Sequence, residues 1–489
     1  TANQDLTLAA ASFQNNGGQL LHVGEGTFDI SLPNVTGAGG TVVTRGGLTL
    51  NADTWTNTSV IQAGRLNVNV NNFTQTETGQ LLASTHLEGK GGSWVNNGLI
   101  ASDGSSTIDL TGTYSGNGRV TSQGVLNLHA AQLDLSHNAK ITGGGDTLIT
   151  VDGQLNNYGR LTSATHLELS AGTLNNYGTL GAAQNVTVTS AALLNDHGLL
   201  FSGNDMTLHG NTITYEYGDI YSLGRLDVSG FDGTSKAVSL ENISGSIESS
   251  RDMSLKVASL TNRRDEFSTK ETPGSGGSLT NICWDCSGGS FVVDFIGTEN
   301  YQSELLKTSA ASTIQAGGRM DVAANNVLNE YSVIASGANM NITADTLTNK
   351  GAASGSGTRT RTWRMESSNG TYWRFKRNIM DPYNAQPGPK SLPVSALSAF
   401  RLIGDTLVST AGASLAPAII QAAGTVNITA TKSLINSIET SFTALAGRAA
   451  RNEDTGVASA PTTVVVQLTP QLPPDLAQQQ VNPLTLRGF

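Results

Sequence analysis

The densest group of side chains able to do chemistry lies between Arg359 and Arg377. It reads Arg-Thr-Arg-Thr-Trp-Arg-Met-Glu, then Ser-Ser-Asn-Gly-Thr, then Tyr-Trp-Arg-Phe-Lys-Arg. Six basic residues, Arg359, Arg361, Arg364, Arg374, Lys376 and Arg377, stand against one acid, Glu366. Two of the five tryptophans, Trp363 and Trp373, are here with Tyr372. Indole and guanidinium groups anchor many binding surfaces, and guanidinium pairs bidentately with carboxylate or phosphate. Asn369-Gly370 is the strongest short signal for a two-residue hairpin turn. With that turn, Met365 faces Arg374, Trp363 faces Lys376 and Arg364 faces Phe375, which lays cations against rings. The segment reads as a contact surface for an anionic target, such as lipopolysaccharide phosphate or an acidic loop of a membrane protein. The plainer reading is a hairpin that caps neighbouring strands, its basic groups merely solvated.

The second candidate is Cys283-Trp284-Asp285-Cys286. A zinc site needs four ligands, and no second cysteine pair or nearby histidine is present. A thioredoxin-type redox site needs a βαβ context that is absent. A local disulfide in an extracellular protein fits best, and so short a bridge contributes little entropic stabilisation. The histidines at 22, 86, 129, 137, 166, 197 and 209 are scattered. His86 and His166 recur at one place in a repeat, which speaks for ladder geometry rather than a metal, and the histidines are expected at exposed or corner positions. Carbohydrate-cleaving chemistry needs clustered carboxylates. The closest pair, Asp265-Glu266, points to opposite faces if extended. No nucleophile stands beside a base. These features predict a binding protein without cofactor or metal, not an enzyme.

The elements that must carry these residues follow from a period. Glycines recur at Gly79, Gly98, Gly118, Gly159, Gly178, Gly198 and Gly218, with Ala139 filling the gap, in steps of 19 to 21. Asn157-Tyr158-Gly159-Arg160-Leu161-Thr162-Ser163 leads to Leu167 and Leu169, then Leu174-Asn175. Asn176-Tyr177-Gly178-Thr179-Leu180 leads to Val186 and Val188, then Leu194-Asn195. Alternating apolar and polar residues make short strands with one buried face. The Asn and Gly between them suit corners that need positive φ. A twenty-residue unit of this kind cannot bury its own apolar side, but stacked units can. The expected fold is all-β, a right-handed parallel β-helix with coils of about 20 residues. Each coil advances roughly 4.8 Å, so about ten coils make a rod on the order of 50 Å.

The unit Ile61-Gln62-Ala63-Gly64-Arg65-Leu66-Asn67-Val68 returns from Ile314 to Val322 and again from Ile420 to Ile428. The solenoid is therefore continuous but interrupted by insertions at 263–312 and 350–418. Insertions in solenoids form loops on one face, often the binding face. The Asn-x-Gly-x-Leu-x-Ser … Leu-x-Leu … Leu-Asn unit resembles the repeats of filamentous haemagglutinin, the shafts of exoproteins exported by two-partner secretion. Repeats broken by a non-repeating region resemble most the effectors of contact-dependent growth inhibition, of the CdiA type. That resemblance implies a secreted chain displayed on the bacterial surface, with an outer-membrane transporter as export partner. It implies a receptor-binding region after the first repeats, contacting an outer-membrane protein or lipopolysaccharide of a target cell. A toxin elsewhere in the full protein is then delivered. Two other readings are an adhesin for host cells or matrix glycans and a polysaccharide-degrading β-helix.

Charge and composition agree with this organisation. Residues 1–262 hold 10 Lys+Arg and 21 Asp+Glu, whereas 263–489 hold 18 and 17. An acidic shaft excludes nucleic acid as its partner. The longest uncharged run, Thr406–Thr431, holds Pro417 and many Ser and Thr and is not a membrane span. The expected division is a repeat shaft over 1–262, a receptor-binding region over 263–436, and an extended tail over 437–489 with one strand at 462–468. The chain is expected to be monomeric. Starting at Thr1 without a signal peptide, it reads as a segment of a larger precursor.

Overall fold

No single unit can bury its three apolar runs alone, and in the computed structural model each run is covered by the coils before and after it. The structure describes residues 3–38 and 40–440. One coil shows the rule. Arg160–Ser163 pairs in parallel with Thr179–Ala182. Leu167–Ala171 pairs with Val186–Ser190, and Thr173–Asn176 with Ala192–Asn195. The ladder skips Gly172 and Ala191, which divides each long strand into two runs. The coils form a parallel β-solenoid of about 17 turns. At ~4.8 Å per turn this is a rod on the order of 80 Å, longer than the clearest repeats suggest.

The inward positions stack in register. Leu161, Leu180, Leu200 and Ile220 form one ladder. Leu169, Val188, Leu208 and Val228 form a second. All are buried in one continuous core. Burying each such side chain is worth about 1.5–3 kcal/mol, which each coil gains only against a neighbour. In the third ladder Leu174 faces Leu193, so Leu194 is the counterpart of Asn175, one residue from the alignment the repeat suggests.

The marker glycines and asparagines have roles other than the positive-φ corners expected of them. A Cβ on Gly178 would lie 2.2 Å from the Gly159 carbonyl oxygen, and one on Gly159 would lie 2.3 Å from that of Ala139. These glycines permit close approach between coils. Among the non-glycine residues described, positive φ falls instead on His197, Tyr217, Ser244 and Tyr331. The asparagines are buried and linked from coil to coil. Asn157 Nδ2 donates to Asn176 Oδ1 at 2.7 Å, and Asn176 to Asn195 at 2.6 Å. A later ladder runs from the buried Asn242, Asn262 and Asn329 to Asn349 and the exposed Asn436, with links of 2.8–2.9 Å. An amide left unpartnered at such a site costs about 1–3 kcal/mol, so the ladder resists slippage of register. His22 departs from the exposed positions expected of the histidines. It is fully buried, with Nδ1 2.8 Å from the Thr44 hydroxyl and Nε2 against the Gln4 carbonyl.

The asparagine ladder also crosses both interruptions, from Asn262 to Asn329 and from Asn349 to Asn436. The coil that ends at Arg263 resumes at Thr313, where Ser246–Ser249 pairs with Thr313–Ala316. Val333–Ser336 pairs directly with Ile419–Ala422. Both insertions therefore leave the solenoid at the same corner, just after the ladder asparagine. The strand Val426–Thr440 carries the coil a little past Asn436. The rest of the expected tail, including the strand at 462–468, lies outside the described residues.

Candidate contact site

A shared corner places the two insertions side by side, although two coils, 313–330 and 333–350, separate them in sequence. Ser290–Thr308 of the first pairs antiparallel with Met340–Ser368, the strand that carries the second. The other edge of Ser290–Thr308 takes Phe267–Pro273 and Ser278–Asp285. The other edge of Met340–Ser368 takes Arg401–Ala416. Alternation along these strands turns Leu279, Val293, Phe295, Trp363 and Met365 to one face. Helical segments Asn369–Phe375, Lys376–Met380, Asp381–Ala385 and Val394–Leu397 cover that face with Tyr372, Phe375, Met380, Tyr383 and Leu397. The insertions thus form one side module with a core of its own, separate from that of the solenoid.

The hairpin expected at Asn369-Gly370 is not formed. Arg401–Ala416 already takes the second edge of the strand at Trp363 and Arg364, which leaves only Met365–Ser368 for the expected hairpin to pair with. The chain turns into a helix instead, and the Ser368 hydroxyl accepts the Thr371 N–H as N-cap. Tyr372 and Phe375, three apart, then face the module core. The expected cross-strand partners change accordingly. Met365 faces Val293 and not Arg374, and Trp363 faces Phe295 and not Lys376. Arg364 faces Asp294 and not Phe375.

This arrangement divides the candidate contact residues in two. Arg359 makes two bonds to Asp405, at 2.8 and 2.5 Å. Arg361 pairs with Glu299 and lies 5.4 Å from the Trp363 ring centroid. Arg364 is bidentate to Asp294 at 2.8 Å in both bonds. Lys376 binds Asp381 at 2.6 and 2.8 Å. Trp363 and Tyr372 are buried. What remains at the surface is Trp373, Arg374 and Arg377, on the open side of the helical segments. Arg374 and Arg377 have no carboxylate partner among the described residues.

Cys283 and Cys286 are joined as a disulfide, and Trp284 between them is exposed. The Trp284 indole N–H donates to Asp294 Oδ2 at 2.7 Å. Asp294 thus takes bonds from both insertions. Its carboxyl is held below the usual carboxylate value, first by Arg364 and then by Trp284, against the opposing effect of burial. Burial first, then the Glu299 carboxylate, pushes the Tyr301 hydroxyl up to about 12. A carboxylate held low stabilises the fold at pH above its ordinary value of about 3.9 and loses that contribution as pH falls through its lower folded value. The module is therefore expected to loosen below about pH 4. Tryptophan fluorescence during acid titration checks this. An Asp294→Asn variant titrating like the parent would remove Asp294 from the account.

Sequence reasoning missed the carboxylates Asp294, Glu299 and Asp405, which lie 46 to 70 positions from their arginines. The strand alternation around Asp294 and Phe295 was the available signal. Asp265 and Glu266, the nearest acid pair, have separate partners in Tyr217 and Lys307. Among the described residues no group of three or more His, Cys, Asp or Glu is placed to hold a metal ion.

The haemagglutinin repeat family matches residues 1–29, 158–230, 232–281, 297–362 and 398–460, more than half of the chain. The chain belongs to the haemagglutinin repeat family. Among similar proteins is the deoxyribonuclease CdiA of Dickeya dadantii (strain 3937), 26% identical over 320 residues, 61% of this chain and 9% of that protein. The toxin CdiA of Escherichia coli is 27% identical over 215 residues, 39% of this chain and 7% of that protein. The chain thus matches less than a tenth of the length of these relatives. No solved structure matches. The haemagglutinin-repeat chain is a filament- or adhesin-like shaft of a two-partner-secreted, surface-displayed protein. No helix among the described residues is long and apolar enough to cross a membrane.

Proposed function

We propose that the side module is the receptor-binding element of a contact-dependent growth inhibition filament. It touches an outer-membrane protein or lipopolysaccharide on a target bacterium, so that a toxin elsewhere in the full protein can be delivered. The observation that carries this reading is the build of the module. Two insertions leave a repetitive rod at one corner and share a single aromatic core. The rod supplies reach, and the module supplies the non-repeating surface with Trp284, Trp373, Arg374 and Arg377. The names of the two relatives, a deoxyribonuclease and a toxin, accord with delivery as the purpose of contact. Non-catalytic binding is the role assigned to this segment.

The test replaces 264–311 and 351–417 by two-residue corners copied from ordinary coils. The shortened and parent proteins are then compared for binding to target bacteria and to epithelial cells. Bacterial binding lost with the module supports the proposal. Undiminished bacterial binding by the shortened rod sinks it. Binding to epithelial glycans alone favours an adhesin for host cells.

A further inference from the structure

Trp284 combines exposure with restraint. Its side chain is 64% exposed, yet its N–H is tethered to Asp294, itself only 5% exposed. Asp294 is fixed in turn by Arg364 from the other insertion. The disulfide closes the end of the strand Ser278–Asp285 around the tryptophan, next to the turn at 286–289, and the strand register slips between Cys283 and Asp285. Just beyond, the Gly289 carbonyl accepts the Asn369 N–H at 3.1 Å, and the Gly288 carbonyl accepts the Asn369 side chain at 3.4 Å. The turn is thus joined to the helix that carries Trp373 and Arg374, and Arg377 follows in the next helical segment. A large side chain already held in one position loses little conformational entropy when a partner covers it.

We infer that the Cys283–Cys286 bond is a redox-sensitive lock that presents Trp284 as a contact residue of the module. This rests on the proposal that the module binds the target cell. Because the indole N–H is spent on Asp294, the ring offers a partner its π face and no donor. An exposed ring face, together with Arg374 and Arg377 that no carboxylate of the described residues neutralises, complements an apolar cluster with acidic groups on a protein. Both cysteines are exposed to thiols. A dithiol can open the lock. Its thiolate attacks one sulfur, the S–S bond breaks, and the other cysteine leaves as a thiolate that takes a proton. The second thiol then displaces the bound cysteine, leaving the reductant as a disulfide and both cysteines as thiols. A bridge three residues apart adds little to global stability, so reduction frees the turn and leaves the rod intact.

The experiment uses the whole chain, oxidised, or reduced with dithiothreitol and alkylated, together with a Cys283→Ser/Cys286→Ser variant, Trp284→Ala and Trp284→Phe. Binding to target bacteria is read by flow cytometry, Trp284 N–H exchange by NMR on tryptophan-labelled protein, and fold by circular dichroism. Reduction should speed N–H exchange and weaken binding by about tenfold or more, the scale of a lost hot-spot residue, with the dichroism unchanged. The serine variant and Trp284→Ala should match it. Trp284→Phe, which keeps a ring without the tether, should fall between. Reduced, folded protein that binds as the oxidised form does would overturn the inference, as would unchanged exchange. If the rod lacking both insertions still binds, the module proposal fails; if it does not bind while reduced protein binds fully, only the lock fails. Loss of binding to cells with truncated lipopolysaccharide, but not to protease-shaved cells, overturns the choice of a protein partner.

Discussion

Phe295→Ala is expected to dissolve the side module while the solenoid stays folded. Phe295 is fully buried, with ring centroids of Phe375, Phe400 and Tyr372 at 4.5, 5.2 and 6.2 Å. It also faces Trp363 in the strand register, so it touches both insertions and the helical cover. Truncating a buried phenylalanine costs about 3–5 kcal/mol. The module core has few residues over which to spread that loss. Its helical segments, seven residues at most, have no stability without a surface to pack on. The solenoid core is a separate cluster and repeats gain their stability from adjacent coils, so the damage stays local. Limited proteolysis read by mass spectrometry should show new cleavage within 366–400 and continued protection of 140–262. Parental resistance throughout would mean that the module core is not the unit described here. Binding to target bacteria should be lost together with protection.

Glu299→Ala is expected to have a comparable effect by a different route. The Glu299 side chain is 4% exposed and serves three groups, two of them from distant parts of the chain. Its Oε1 accepts the Leu392 N–H at 2.7 Å, and its Oε2 accepts the Tyr301 hydroxyl at 2.7 Å and pairs with Arg361. Arg361 is itself largely covered. Removing one partner of a buried ion pair costs about 3–5 kcal/mol, because the remaining charge is left without compensation in a poorly solvating site. Replacing the whole pair by apolar residues of similar volume is often close to neutral. Glu299→Met combined with Arg361→Met should therefore recover much of the stability that Glu299→Ala loses. Thermal unfolding followed by tryptophan fluorescence, which samples Trp363 beside Arg361, reads this difference. If the single and double variants unfold alike, the uncompensated charge is not the cause.

Both predictions depend on contacts the sequence did not display, whereas the rod was open to reading. Stacked strands need an apolar residue at a fixed place in each coil, so Leu161, Leu180 and Leu200 recur at nearly constant spacing. The interruption of that spacing located the insertions. The glycines recur for a related reason that the period alone did not reveal: each lies against the carbonyl of the coil before it. Local signals failed where a second partner competed. Asn369-Gly370 favours a hairpin between free strands, but Arg401–Ala416 already takes the edge that Trp363 and Arg364 would need, and Ser368 caps a helix instead. The basic segment suggested a positive surface because its charges are contiguous in sequence. Its neutralising carboxylates, Asp294, Glu299 and Asp405, come from strands far away in the chain.

By itself the sequence determined the coil, its length, its buried face and the two places where it breaks, because a solenoid's contacts repeat at one spacing along the chain. Only the tertiary structure decided that the two breaks share a corner and build one module. It also decided which basic residues are paired and that Trp284 stands out beside them. Those outcomes depend on pairings between segments whose separation follows no period, and no local pattern encodes which strand edge will be occupied when the chain returns.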